Sequence, residues 1–185
     1  QRRRTRLRPL VPMGAAELRT WLGDALDLAS ANSPQLSVAS GPPEALDAMA
    51  SRMLAQGIET QRVKVHVAGH SRLLDGILPR FRAYLQGIKL GEPKLRIVSN
   101  HTGGWLDTAS ARDPEYWVRH VREAVRFHDA VQALEREGVR TFLEIGPDST
   151  LSTLGQECVT EDAVFVPVLR RNSPEARTFT AALAG

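Results

Sequence analysis

The order in which the hydrophobic period changes along residues 7–67 constrains the fold of this chain more than any other feature. Apolar positions two apart mark strands, and apolar positions three or four apart mark helices. Residues 7–11 therefore predict a strand, Ala15–Leu22 a helix with Glu17 early in it, and residues 26–31 a second strand. Asn32-Ser33-Pro34 carries turn chemistry, and residues 36–39 predict a third strand. Ser40-Gly41-Pro42-Pro43-Glu44 then opens a helix to about Gln56, with proline in its first turn and Gly57 just past its end. Residues 60–67 complete the set as a fourth strand. The resulting order, β-α-β-β-α-β, is that of the ferredoxin-like split unit.

Beyond Gly69 the pattern changes to strands alternating with longer helices. Residues 73–86 carry Leu74, Ile77, Leu78, Phe81 and Leu85 at helical spacing, and Pro79 among them implies a kink or a break. Residues 95–99 predict a strand, followed by a loop around Thr102-Gly103-Gly104. Asp113-Pro114-Glu115 has the N-cap, first-turn proline and early acid that start a helix. A helix over residues 125–137 stops at Gly138, and residues 141–145 predict a strand. Gly146-Pro147-Asp148-Ser149 turns into a helix up to Cys158, residues 164–168 form a last strand, and a helical tail follows Ser173-Pro174. Such alternation argues for a mainly parallel sheet and an α/β class.

At 185 residues, 42% of them hydrophobic, the chain can bury a real core as one domain or two small ones. No apolar stretch approaches the ~20 residues that cross a bilayer, and no signal-peptide pattern opens the chain, so no membrane partner is expected. The single Cys158 excludes an internal disulfide framework and fits a reducing cytoplasm. No Cys/His grouping has metal-ligand spacing, so no metal is expected. The net charge of +3 is local in origin. Five of the 24 basic residues (Arg2, Arg3, Arg4, Arg6, Arg8) lie in the first eight positions, leaving 19 against 21 acidic ones elsewhere. Without interleaved aromatics this arm reads as a solvated terminus or a fragment edge rather than a nucleic-acid grip.

Gly69-His70-Ser71 follows a β-branched run and precedes a helix, as a nucleophile elbow does. The elbow G-x-S-x-G needs small residues on both sides of its serine, and its second small position falls here on Leu73. Ser71 is accordingly expected to cap the following helix through its side chain, not to attack a substrate. His70 lies at a strand-to-helix switch, where α/β proteins place sites. An imidazole there could move a proton near neutral pH, given a nucleophile and an orienting acceptor.

Three ordered stretches, "PPEALDAMASRMLAQGIETQRVKVHVAGHSRLLDGILPRF", "LRIVSNHTGG" and "DPEYWVRHVREAVRFHDAVQALEREGVRTFLEIGPDSTLSTL", resemble the acyltransferase domain of modular type I polyketide synthases. The likeness runs from about Met13 to Leu169 and extends to malonyl-CoA:acyl carrier protein transacylases. It implies an α/β-hydrolase-like large subdomain with an inserted ferredoxin-like small one. The corresponding division is an arm at 1–6, a small subdomain at 7–68, the C-terminal part of the large subdomain at 69–169, and a tail at 170–185. In that family a serine in a true GHSxG elbow takes an acyl group from coenzyme A and passes it to the phosphopantetheine thiol of an acyl carrier protein. Val67-Ala68-Gly69-His70 match the family's four-residue motif, which makes His70 the general base and the first three residues part of the acyl pocket.

The resemblance also points to the main-chain carbonyl of His120 as the base's acceptor, although a surface helical residue is an equal reading. Asn100 falls either at the cleft floor or in a structural turn. Gly146-Pro147 matches a structural turn of the family. Gly69 implies room for a substituted malonyl unit. No bound cofactor is implied beyond the acyl-CoA and phosphopantetheine substrates. The expected partners are the carrier protein, the ketosynthase and linker regions of the same megasynthase, and the N-terminal part of the acyltransferase bearing the serine. Alone, such a chain is expected to be inactive, and a non-catalytic scaffold or docking domain is the alternative.

Overall fold

A computed structural model describes residues 6–65 and 69–184. Their contacts divide into one unit ending at Ala130 and a second beginning at Val131. The first unit opens with β1 (Arg6–Val11), α1 (Ala15–Leu22), β2 (Asp27–Ser33), β3 (Leu36–Ser40), α2 (Pro43–Leu54) and β4 (Gln61–Val65). The four strands form one sheet in the order β2-β3-β1-β4, every pairing antiparallel. This is the ferredoxin-like order expected from the sequence. The predicted fourth strand extended to residue 67, and its last two residues lie outside the described residues.

Local chemistry explains the elements. A two-residue turn, Pro34-Gln35, closes the β2–β3 hairpin at Ser33↔Leu36. Pro9 is tolerated inside β1 because β3 pairs only with Leu10 and Val11, so Pro9 has a ladder neighbour on the β4 side alone. α2 starts on Pro43 with Glu44 in its first turn, and Gly57 beyond its end takes φ +76. Leu18 and Leu22 of α1, with Leu46, Met49 and Met53 of α2, lie on single faces and bury against Val11, Leu28 and Ala39 of the sheet. Each such side chain contributes about 1.5–3 kcal/mol by leaving water.

The predicted helix over 73–86 breaks where Pro79 requires. A 3-10 segment, Arg72–Ile77, gives way to α3 (Leu78–Gln86) with the proline in its first turn. The predicted strand at 95–99 does not form; only Val98 bridges, to Trp105. Its main chain bonds back to its own loop, Ser99 N to Gly104 O and Leu106 N to Ile97 O, both at 2.8 Å. Leu95 and Ile97 are exposed, 80% and 45%. β propensity without a neighbouring strand edge cannot make a ladder, and no described strand lies alongside. Next come α4 (Thr108–Arg112), α5 (Pro114–Arg122) and α6 (Phe127–Arg136), the last crossing into the second unit.

The second unit contains β5 (Thr141–Glu144), α7 (Thr150–Gln156), β6 (Val164–Pro167) and α8 (Glu175–Ala184). β5 and β6 pair in parallel, as alternation predicted, with Phe142 and Phe165 stacked at 4.5 Å between ring centroids. Ser149 makes no side-chain cap for α7. The Glu144 carboxylate at the end of β5 supplies that function, accepting from Leu151 N, Ser152 N and Ser152 Oγ at 2.7–3.0 Å.

Glu135 ties α6 to the loop before β6 by accepting from Thr160 N (2.6 Å), Glu161 N (2.8 Å) and Thr160 Oγ1 (3.2 Å). The Glu161 amide leads the interactions that hold this carboxyl below its ordinary range. A carboxyl with a depressed folded pKa adds stability above its unfolded value and loses it as pH falls through the folded one. Glu135→Gln is therefore expected to lower the urea midpoint at pH 7. The gap from the native protein should narrow as pH drops below about 4.3.

Candidate active site

The last turn of α5 positions His70. Asp113 starts this helix, its carboxylate accepting from Glu115 N at 2.9 Å ahead of Pro114. At the other end, the free carbonyls of a helix terminus need donors, and His70 provides two. Its main-chain N donates to Val121 O at 3.1 Å, and its ring Nδ1 lies 2.7 Å from Glu123 O. A carbonyl only accepts, so Nδ1 carries the proton and Nε2 keeps its lone pair. Glu123 is itself fixed, its N donating to Arg119 O. Val125 beyond it is pinned to β2 by Val125 N to Ala29 O and Ala31 N to Val125 O.

His70 takes φ +56, a left-handed conformation that a non-glycine residue adopts at about 1–3 kcal/mol. Its neighbours are tied down on both sides. Arg8 Nη2 donates to Gly69 O at 2.6 Å. Arg72 N and Nε donate to the Asp27 carboxylate at 2.8 and 3.1 Å, and Arg122 joins the same acid at 3.5 Å while holding Asp75 at 2.5 Å. Burial raises the Asp27 pKa, but the Arg72 and Arg122 interactions outweigh it and leave the carboxyl below its ordinary range. For His70, burial is the largest influence and lowers its pKa. The Glu123 carbonyl opposes that shift, and the Arg8 charge reinforces it.

Ser71 differs from the expectation in one respect. It stands at the N-cap of the 3-10 segment, yet its side chain makes no capping bond; Leu74 N donates instead to its main-chain O at 3.0 Å. The residue is fully enclosed, and its backbone is extended at φ −151. The strained residue of this turn is His70, whereas an elbow strains its nucleophile.

His120 is half-buried, not a surface residue, among the rings of Tyr116, Trp117 and His101 at 6.0–6.5 Å. Burial, then the charges of His70 and His101, lower its pKa. The carbonyl bonded to Nδ1 of His70 is that of Glu123, and the His120 carbonyl makes a smaller contribution in the same direction. The acceptor thus lies one turn further along than the resemblance implied. The Asn100 side chain is exposed, and its main-chain O accepts from Arg126 N at 2.6 Å. Val67 and Ala68 lie outside the described residues. At Gly69 a Cβ would come within 3.0 Å of Arg8 Nη2, so the glycine leaves space for that guanidinium.

The sequence reading missed Glu123, Arg8 and His101. Glu123 was visible only as the residue three past His120, and Arg8, correctly placed in a strand, was read only as one of five clustered arginines. His101 sits beside Glu123 at a cavity of about 590 Å³, which Asp27, Arg122, Arg126 and Asp129 also border. Nothing in its sequence context distinguished it.

A family model described as the acyl transferase domain matches residues 3–185. The chain belongs to the acyltransferase domains of modular polyketide synthases. Polyketide synthase GfsA of Streptomyces halstedii is 38% identical over 163 residues, which is 86% of this chain and 2% of that protein. Spectinabilin polyketide synthase system protein NorB of Streptomyces orinoci is 36% identical over 181 residues, 95% of this chain and 8% of its own length. The acyltransferase domain from the second module of the salinomycin polyketide synthase superposes with a TM-score of 0.91 at 36% identity, covering 96% of this chain and 42% of that one. The acyltransferase domain of SpnD gives 0.90 at 32%, covering 97% and 45%. This acyltransferase sequence thus spans less than a tenth of these curated relatives and under half of these solved domains.

Proposed function

We propose that this acyltransferase segment supplies the general base for moving an extender acyl group from coenzyme A to the phosphopantetheine thiol of an acyl carrier protein. The observation that carries the proposal is the 2.7 Å bond between His70 Nδ1 and the Glu123 carbonyl. It fixes the tautomer with a basic Nε2, and a main-chain acceptor serves where other triads use a carboxylate. In the first half-reaction Nε2 takes the proton of a serine hydroxyl, the oxygen–acyl ester forms, and the thioester carbon–sulfur bond breaks. The imidazolium returns the proton to the departing thiolate. In the second, Nε2 deprotonates the pantetheine thiol, the new thioester forms, and the serine oxygen recovers the proton. Nδ1–H stays on the carbonyl throughout.

The serine comes from outside these 185 residues. Ser71 is enclosed and Leu73 occupies an elbow position, and this chain holds no other G-H-S. The segment by itself is therefore inactive. Its partners are the rest of the acyltransferase domain, the carrier protein, and the ketosynthase of the same synthase, working in the cytoplasm without metal or resident cofactor. A branched malonyl unit is the proposed substrate on the likeness to the SpnD domain, solved with 2-(pent-4-yn-1-yl)malonyl; the space beside Gly69 itself is taken by the Arg8 guanidinium. The test is to incubate the complete acyltransferase domain with malonyl-, methylmalonyl- and ethylmalonyl-CoA and map the acyl ester by peptide mass spectrometry. An ester on a serine outside this segment, formed with branched units, is expected. An ester on Ser71 would overturn the mechanism, strict malonyl selectivity would overturn the branched-unit reading, and no ester at all would leave a scaffold.

A further inference from the structure

We infer that His101 is a positioning residue for His70, acting through the Glu123 side chain on the peptide whose carbonyl holds the imidazole. The inference rests on the reading of His70 as base and extends it to a residue that does not touch the reacting atoms.

The His101 side chain is only 10% exposed, edge-on to Tyr116 at 5.6 Å and beside His120 at 6.5 Å. Its Nδ1 is shut off from solvent, makes no hydrogen bond among the described residues, and lies 3.6 Å from Glu123 Oε2. A buried ring nitrogen facing a carboxylate at that distance has one inexpensive way to be satisfied, a small approach of the two groups. An apolar side chain would fill the same niche without the unpaired atom, so packing alone does not account for a histidine.

Both ends of the contact are held. The loop carrying His101 is locked by Ser99, whose Oγ accepts from His101 N and Thr102 N at 3.1 Å and bonds Tyr116 OH at 2.6 Å. Gly103 N donates to Ser99 O, and Arg126 N to Asn100 O. Two of the arginines bordering the same cavity are committed elsewhere, Arg122 to Asp75 and Asp27 and Arg126 to Asp129. Among the described residues, the basic group recorded within reach of the Glu123 carboxylate is the His101 ring, at 3.6 Å. Glu123 thus joins two histidines: its carboxylate faces His101, and its carbonyl accepts from His70. The other groups facing His70 are the Arg8 guanidinium and His120.

The experiment is a double-mutant cycle in the complete acyltransferase domain, with H101L, E123A (which keeps the carbonyl) and the pair. Each single change should lower kcat for acyl transfer about tenfold with little change in KM, as a loosened base geometry does. The double variant should be no slower than either single one. The acidic limb of the kcat profile should move to lower pH in all three, because the carbonyl bond that favours the imidazolium weakens. H101Q, which can still donate to Glu123, should recover most of the rate. Additive losses, an unshifted pH profile, or a kcat deficit explained by the folded fraction would overturn the inference. H70A separates the two readings. Full activity there removes the base itself, whereas an inactive H70A with an additive cycle refutes only the role of His101.

Discussion

His70→Ala in the complete acyltransferase domain is expected to slow acyl transfer by about 10²–10⁴-fold, the usual contribution of a positioned general base. KM for acyl-CoA should stay within about twofold, because the imidazole acts on a proton and not on substrate binding. The pH dependence makes the prediction sharper. Burial lowers the His70 pKa, and the Arg8 charge adds to that. The base should thus remain neutral, and the enzyme active, to lower pH than an ordinary imidazole near 6.5 allows. Arg8→Gln removes one of the lowering influences, so the acidic limb of the kcat/KM profile should move to higher pH. Stopped transfer assays across pH 4.5–8 would measure both effects, each variant first checked for folding. A His70→Ala enzyme within tenfold of native would end the base assignment.

Leu18→Ala should be the most damaging single change in the ferredoxin-like part. Leu18 is fully enclosed at the centre of α1 and packs in the cluster with Val11, Leu46, Met49 and Met53. Deleting it loses transfer free energy and leaves a cavity in this packed cluster, at about 2–5 kcal/mol. Leu18 is distant from the chemistry, yet Ala15 and Arg19 of the same helix border the cavity beside His101 and Glu123. Thermal melts followed by activity and by tryptophan fluorescence should shift together and superimpose. Loss of activity well below the fluorescence midpoint would mean that the site opens before the core does.

The ferredoxin-like unit was legible because each part of it is decided locally. The period switches, Pro34 beside a polar turn, Pro43-Glu44 at a helix start and Gly57 at its end are short-range signals, and the sheet order followed from them. The break at Pro79 and the start of α5 at Asp113 were legible for the same reason. Residues 95–99 failed because a strand is a relation between two segments, and Leu95 and Ile97 have the composition of a strand without a partner edge. The site divided along the same line. His70 could be singled out from its place at a strand-to-helix switch and from the family resemblance. Its acceptor could not, since a carbonyl has no side-chain signature and whether Glu123 or His120 lies nearer is set by how α5 ends. The capping role assigned to Ser71 failed where the main-chain carbonyl served the turn instead.

On the proposed role of His70 as base, its left-handed backbone sets stability and activity against each other at a single position. Asparagine and glycine occupy that conformation more readily than histidine, and neither can serve as the proton carrier. A library of this domain selected only for expression or heat resistance should therefore drift toward Asn or Gly at position 70. Its best-behaved members would be the ones that no longer load a carrier, so any stabilisation campaign on such synthases has to score turnover at the same time as yield.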